Sequence, residues 1–311
     1  MMISEWLEVD TDRRMYHSES RILHYTIGEV APYINWIYFF HAWGIEPRFA
    51  TVTELHQCPA CRAGWIGSFA KEEQAKAREA ATLYTEALQQ LRAWGDAPVC
   101  KALFLIDDAN SEGDDIVIGG HTRIPLLRQQ QAGKEGYTLC LSDFIRPATS
   151  GTKDRIGVFA TTVHLSHGDN SLLASTLADR LAEATAEKMH EEVRKRYWGY
   201  APDEQLSMRE LHEERFQGIR PAVGYPSLPD QSINHLIDKL LGLADIGVRV
   251  SENGAMMPHC SVSGFLFAHP KARYFSVGNI SDEQLTDYAH RRGLTPATIK
   301  KFLHRNVGSL D

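Results

Sequence analysis

Apolar and polar positions change rhythm several times along this chain. Over 71–94, Ala77, Ala80, Tyr84, Leu88, Leu91 and Trp94 recur at three- and four-residue spacing, which predicts an amphipathic helix. Gly95 follows where such a helix would stop. A longer helix is predicted over about 171–197, with Ala178, Ala182, Ala186, Met189, Val193 and Tyr197 as its buried stripe. Asp179, Glu183, Glu187, His190 and Arg194 fall largely off that stripe. Runs at 101–106 (KALFLI), 115–118 (DIVI) and 155–163 (RIGVFATTV), bounded by Gly, Asp and Asn, predict strands. The aromatic-rich stretch 29–45 predicts a short buried helix.

Further along, 233–241 reads as a helix, and 246–250, 261–267 and 272–277 read as strands. On the last of these, Tyr274 and Phe275 point to opposite sides, as two core aromatics or as one facing a pocket. Ser281 with Gln284 resembles a capping box for DEQLTDYAHRR. Thr295 followed by Pro296 opens a last helix, ATIKKFLHR. The proline- and glycine-rich stretch 218–232, GIRPAVGYPSLPDQS, reads as an irregular loop. Residues 1–28 read as a leader with modest structure, leaving 29–311 as one domain. Long helices and non-adjacent strands together predict an α+β domain on a mainly antiparallel sheet.

Charge narrows the classes of function. The formal charge of −7 comes from interspersed acidic and basic residues with no long basic run, which points away from nucleic acid and from anionic membranes. The start, MMISEWLEVDTDRR, lacks the apolar core of a signal peptide. No apolar run approaches the ~20 residues that span a bilayer. The expectation is a soluble, cytoplasmic protein. Its five cysteines (Cys58, Cys61, Cys100, Cys140 and Cys260) are odd in number and sparse, which fits reduced thiols rather than a disulfide framework.

The common nucleotide signatures are missing: the sequence has no GxGxxG, no GxxxxGK(S/T) and no Gly-rich methyltransferase loop. Cys58 and Cys61, in the run CPAC near His56, fit half of a zinc site, a redox pair or two plain loop thiols. A tetrahedral zinc takes four ligands and no second CxxC follows, so no metal is assigned. The run RPAVGY is the most informative. Arg220 offers a fork that grips a carboxylate through two parallel hydrogen bonds, unless it is a plain surface arginine. Pro221 stiffens the chain, Gly224 lets the backbone approach a ligand, and Tyr225 adds an aromatic face with a hydroxyl.

The segment 177–207 (LADRLAEATAEKMHEEVRKRYWGYAPDEQLS) followed by GIRPAVGYP (218–226) resembles one family: the S-adenosylmethionine-binding activation domain of cobalamin-dependent methionine synthase. The same family is matched, in order, by YINWIYFFHAW (33–43), ANSEGDDI (109–116), LRQQ (127–130), CLSDF (140–144), IGVFATT (156–162), SVSGFLFAHP (261–270) and ARYFSVG (272–278). The resemblance implies a C-shaped α+β unit around a long, bent antiparallel sheet, with S-adenosylmethionine in a shallow groove. It implies docking on a cobalamin module whose cofactor has oxidised to cob(II)alamin. An electron from a flavodoxin-like reductase and the methyl of S-adenosylmethionine then restore methylcobalamin.

By matching position, Arg220 pairs with the ligand carboxylate, and Ala222 with its neighbouring backbone, Gly224 included, meets the adenosyl group. The resemblance further implies that Tyr225 lies near the sulfonium and faces the corrin, as the residue closest to catalysis. Tyr274 and Phe275 border the ligand, and Glu183 matches an acidic position on the long helix.

Two departures from the family matter most. The family reads YIDW, and the resemblance implies that its aspartate meets the ligand's ammonium; here Asn35 stands in that place, and an amide can accept the hydrogen bond without the charge attraction. A charge-assisted bond contributes ~1.5–3 kcal/mol against about 1 for a neutral one, so affinity is expected to be about tenfold weaker. After Tyr225 the family commonly reads CPEHTEK, and this chain runs from Leu228 as LPDQSIN; His259 and Cys260 also replace small residues. No cobalamin-ligating DxHxxG run is present, so the corrinoid is expected on a separate chain. The leading expectation is a split activation subunit. The alternatives are a regulatory S-adenosylmethionine-binding paralogue without methyl donation, or an activator of another corrinoid methyltransferase.

Overall fold

The computed structural model describes residues 20–133, 136–165, 171–303 and 306–307. Among the described residues, strands β1 (Arg21–Tyr25), β2 (Cys100–Glu112), β3 (Asp115–Ile118), β4 (Thr122–Pro125), β5 (Asp154–Val163), β6 (Arg249–Val250), β7 (Met256–Met257) and β8 (Ser261–Leu266) are interspersed with nine α-helices. These are α1 (Ile27–Val30), α2 (Trp36–Ala42), α3 (Pro59–Gly67), α4 (Gln74–Ala93), α5 (Leu172–Glu192), α6 (Met208–His212), α7 (Ile233–Leu241), α8 (Asp282–Arg292) and α9 (Pro296–Phe302). The main sheet runs β4-β3-β2-β5-β8, antiparallel throughout. β2 is long enough for β1 and β3 to share one of its edges in succession, Arg21 opposite Phe104 and Ala109 opposite Ile118. A separate ribbon pairs β6 with β7.

Side-chain alternation on β2 and β5 gives the sheet two covered faces. Ala102, Phe104 and Phe159 meet Leu91 of α4 with Leu177 and Leu181 of α5. Leu103, Leu105, Val158 and Ala160 face Ile233, Ile237 and Leu241 of α7. Leu285, Tyr288 and Ile299 hold α8 and α9 together in a third cluster. Ser171 caps α5 by accepting the Ala174 N–H at 3.1 Å. The small stripe of α5 lets it lie close on the sheet, where Thr161 Oγ1 donates to the Ala182 carbonyl at 3.0 Å.

Several expectations need correction. Part of the supposed leader is a paired strand, β1, and α1 begins at Ile27; residues 1–19 lie outside the described residues. β1 is short and half-exposed, so its alternation is weak in sequence. His190 and Arg194 are fully buried although they lie off the expected stripe. Helix α5 is covered on more than one side, and Arg194 is held by both oxygens of Glu204 at 2.8 and 2.7 Å over the face of Phe216. Residues 272–277 form no strand; the segment is tied instead by the Val277 N–H to the Pro226 carbonyl at 2.9 Å. The 246–250 strand shrinks to β6 because Leu243–Ile246 close a tight helical turn. Ser281 caps α8 at 3.2 Å, but the Gln284 side chain donates to the Arg128 carbonyl rather than turning back.

One close approach positions the site. The irregular segment 219–223 lies along the free edge of β8: Phe265 N–H donates to the Pro221 carbonyl at 3.1 Å, and Val223 N–H donates to the Ser263 carbonyl at 2.9 Å. A Cβ at Gly264 would stand 2.1 Å from the Pro221 oxygen and 2.9 Å from Ala222 Cα. Only glycine lets these backbones meet. Gly264→Ala is therefore expected to lower unfolding free energy by roughly 2 kcal/mol, the order of an overpacked core site. Denaturant unfolding measures it, and an unchanged midpoint would show that the segment is not held by this contact.

Candidate functional site

Asp179, Glu183 and Glu187 recur every fourth residue on α5, so their carboxylates share one face. That face forms one wall of a groove of about 790 Å³. The start of α2, the segment after Arg220, and Tyr274 with Phe275 complete it. Asn35, Glu183, Arg220, Ala222, Tyr225, Tyr274 and Phe275 all line this groove, although four separate stretches of chain supply them. Gly224 is not among the wall residues. Its φ of 87° makes the turn that presents Tyr225, and its N–H donates to the Leu228 carbonyl at 2.8 Å.

Arg220 is the hub. Its side chain is 11% exposed, with Nη2 3.2 Å from Glu187 and Nη1 3.9 Å from Glu183. Burial disfavours its charge, but Glu187, Tyr274 and Glu183 outweigh that and hold its pKa above the ordinary value. The Arg220 Nε and one oxygen of Glu187 are buried with no hydrogen-bond partner. Such groups cost free energy unless something satisfies them. The Arg220 N–H donates to the Tyr274 hydroxyl at 3.0 Å. Burial pushes the Tyr274 hydroxyl up to about 12 against the opposing pull of Arg220. Tyr225, half-exposed at the rim, donates a short hydrogen bond to Glu183, and burial together with Glu183 raises its pKa.

The groove is acidic. Burial raises the Asp179 carboxyl, and burial with Glu187 raises Glu214. Asn35 caps α2, its side-chain oxygen accepting the Ile37 N–H at 3.2 Å. The amide that replaces the family's acid is thus already engaged in holding a helix terminus. His259 and Cys260 line a smaller neighbouring cavity of about 270 Å³ that shares Asp179, Glu183 and Tyr225 with the groove. Sequence reasoning did not single out Asp179, Glu187 or Glu214 as site residues. Four-residue spacing from Glu183 was the available signal for the first two; Glu214 had none.

The class defined by this arrangement is an α+β domain with an acidic, partly apolar groove beside a buried arginine. Residues 26–293 match the family model described as vitamin B12 dependent methionine synthase, activation domain. The chain belongs to that family. Among solved structures it is similar to the MetH reactivation domain bound to AdoHcy, with 34% sequence identity and a TM-score of 0.80. The match covers 94% of this chain and 91% of that one.

Removing one partner of a buried ion pair strands the other. Arg220→Met should cost about 3 kcal/mol of stability by leaving Glu187 and Glu183 unopposed, and adding Glu187→Gln should recover a large part of it. Urea unfolding of the two variants checks this. Additive losses would mean that the pair is not coupled.

Proposed function

We propose that the groove binds S-adenosylmethionine and that the chain supports reductive remethylation of cob(II)alamin held by a partner module. The observation that carries this reading is the buried Arg220, with an unsatisfied Nε, set against an acidic helix face. The ligand has a carboxylate, an ammonium and a sulfonium, so it needs one cationic contact within a negative surrounding. Asp179, Glu183, Glu187 and Glu214 line the groove against Arg180 and Arg220. Arg220 then takes the carboxylate, and Glu183 or Glu187 answers the ammonium beside Asn35. Ala222 and its backbone, with Tyr274 and Phe275, border the adenosyl group.

S-adenosylmethionine supplies a methyl group activated on a positively charged sulfur. The chain's own part is to hold that group at the rim, where Tyr225 is half-exposed, and to orient it for an acceptor. The sequence contains no DxHxxG run, so the corrinoid belongs on another module, in this or a separate chain, with a flavodoxin-like reductase supplying the electron. A cytoplasmic setting suits that reductant. A second reading, ligand sensing without methyl donation, is favoured by Asn35 and by the altered run after Leu228.

The test mixes this chain with a methionine synthase truncated before its activation domain, plus reductant and S-adenosylmethionine, and follows the visible spectrum of the corrinoid. Return of cob(II)alamin to methylcobalamin is expected, with Tyr225→Ala slowing that step more than it weakens ligand binding. No remethylation of any cognate corrinoid protein, with ligand binding intact, would favour the sensing role. In calorimetric titration, Asn35→Asp should bind S-adenosylmethionine about tenfold more tightly, one charge-assisted bond in place of a neutral one. Unchanged affinity would place the ammonium elsewhere.

A further inference from the structure

Outside the groove, His56, Cys58 and Cys61 bring one imidazole nitrogen and two sulfurs within 4.8 Å of one another. Cys58 is the N-cap of α3, and Cys61 is three residues on. One turn of helix therefore sets both sulfurs on the same side. Pro59 at the first helical position has no N–H to satisfy, and the Cys61 N–H instead donates to the Cys58 sulfur at 3.3 Å. The stretch joining His56 to Cys58 is pinned as well, because the Gln57 side chain donates to the Val52 and Leu55 carbonyls at 3.2 and 2.9 Å. Helix α3 is anchored by Trp65, whose Nε1 donates to Thr51 at 3.1 Å and whose ring meets Phe69 at 4.9 Å. These contacts make the cluster a preset one on ordered backbone.

We propose that His56, Cys58 and Cys61 form a three-ligand site for a thiophilic divalent cation, zinc above all, with the fourth coordination position open to solvent. Around tetrahedral zinc, bonds of about 2.0–2.3 Å set ligand atoms roughly 3.5–4 Å apart. Small side-chain rotations bring these three to that spacing with the backbone in place. Two thiolates and a neutral imidazole leave the zinc complex uncharged. The N–H donated to the Cys58 sulfur is an outer-shell contact that steadies a thiolate ligand. An imidazole can also activate a redox thiol; what favours metal is the gathering of three donor atoms, one nitrogen and two sulfurs, within 4.8 Å of one another. Sequence alone left the site incomplete because no second CxxC follows; an open fourth position removes that requirement.

The experiment uses the full chain, reduced and stripped with a chelator, then titrated with Co(II) and with Zn(II) in competition with a chromophoric chelator. Co(II) is expected to give thiolate charge-transfer absorption and tetrahedral ligand-field bands that saturate at a single ion per chain, and Zn(II) should displace it. Cys58→Ser and Cys61→Ser should each lose the charge-transfer signal or weaken zinc binding by more than the ~100-fold that an outer-shell change can cost. His56→Ala should weaken it with both thiolates kept. All three side chains are at least partly exposed, so circular dichroism should show unchanged folding in each variant. Absence of thiolate absorption in the wild type, or the same absorption in both serine variants, would overturn the proposal. A chain that takes up no metal but closes a Cys58–Cys61 disulfide with a mild oxidant would overturn it in favour of a redox pair.

Discussion

A buried guanidinium held between two helix carboxylates is the constraint on which the rest of the site depends. Arg220 meets Glu187 and Glu183 of α5 through its side chain, and its backbone N–H holds Tyr274. A single residue thus ties the long helix, the irregular segment along β8's edge and the stretch before α8. Such a pair is costly to desolvate, and one member without the other is costlier still. The sheet provides the rigid base: Gly264 admits the backbone on either side of Ala222, and the Asp230 carboxylate accepts the Tyr288 hydroxyl at 2.7 Å to fasten the same loop to α8.

The chemistry of the groove follows from that arrangement. Carboxylates are gathered on one face of α5 by its four-residue spacing, and burial raises Asp179 and Glu214 above ordinary acids. Arg220 sets a positive charge, 11% exposed, against that acidic face, beside Arg180. Tyr225, bound to Glu183, is half-exposed at the rim of the groove.

Much of this was legible in sequence, for physical reasons that differ by element. Helices α4 and α5 are long and periodic: Ala77, Ala80, Tyr84 and Leu91 of one expected stripe and Ala178, Ala182, Ala186, Met189 and Val193 of the other are buried, while Leu88, Trp94 and Tyr197 are only partly so. Strands β3 and β5, apolar runs bounded by turn residues, stand within a residue of where they were expected, while β2 runs on to Glu112, six residues past the expected end, because its polar second half also pairs with β3 and β5. Motif order carried the family, and with it the gathering of Asn35, Glu183, Arg220 and Tyr274 from distant stretches, which no local pattern contains. Burial of His190 and Arg194 was not legible, because a polar residue's partner (Glu204 for Arg194) lies in another element. The 272–277 stretch has strand-like residues but pairs with no strand; the outer edge of β8 is taken by 219–223. Asn35 was legible as a change of charge, but not as the cap of α2.

The most direct measurement compares S-adenosylmethionine with S-adenosylhomocysteine, which lacks the sulfonium charge, by equilibrium binding across ionic strength. If the carboxylates of α5 hold the ligand's positive charge, the methylated form binds more tightly at low salt. That advantage should narrow as salt screens the exposed part of the groove, and shrink further in Glu183→Gln. Equal affinities with the same salt dependence for both ligands would contradict an acidic groove built to take a sulfonium.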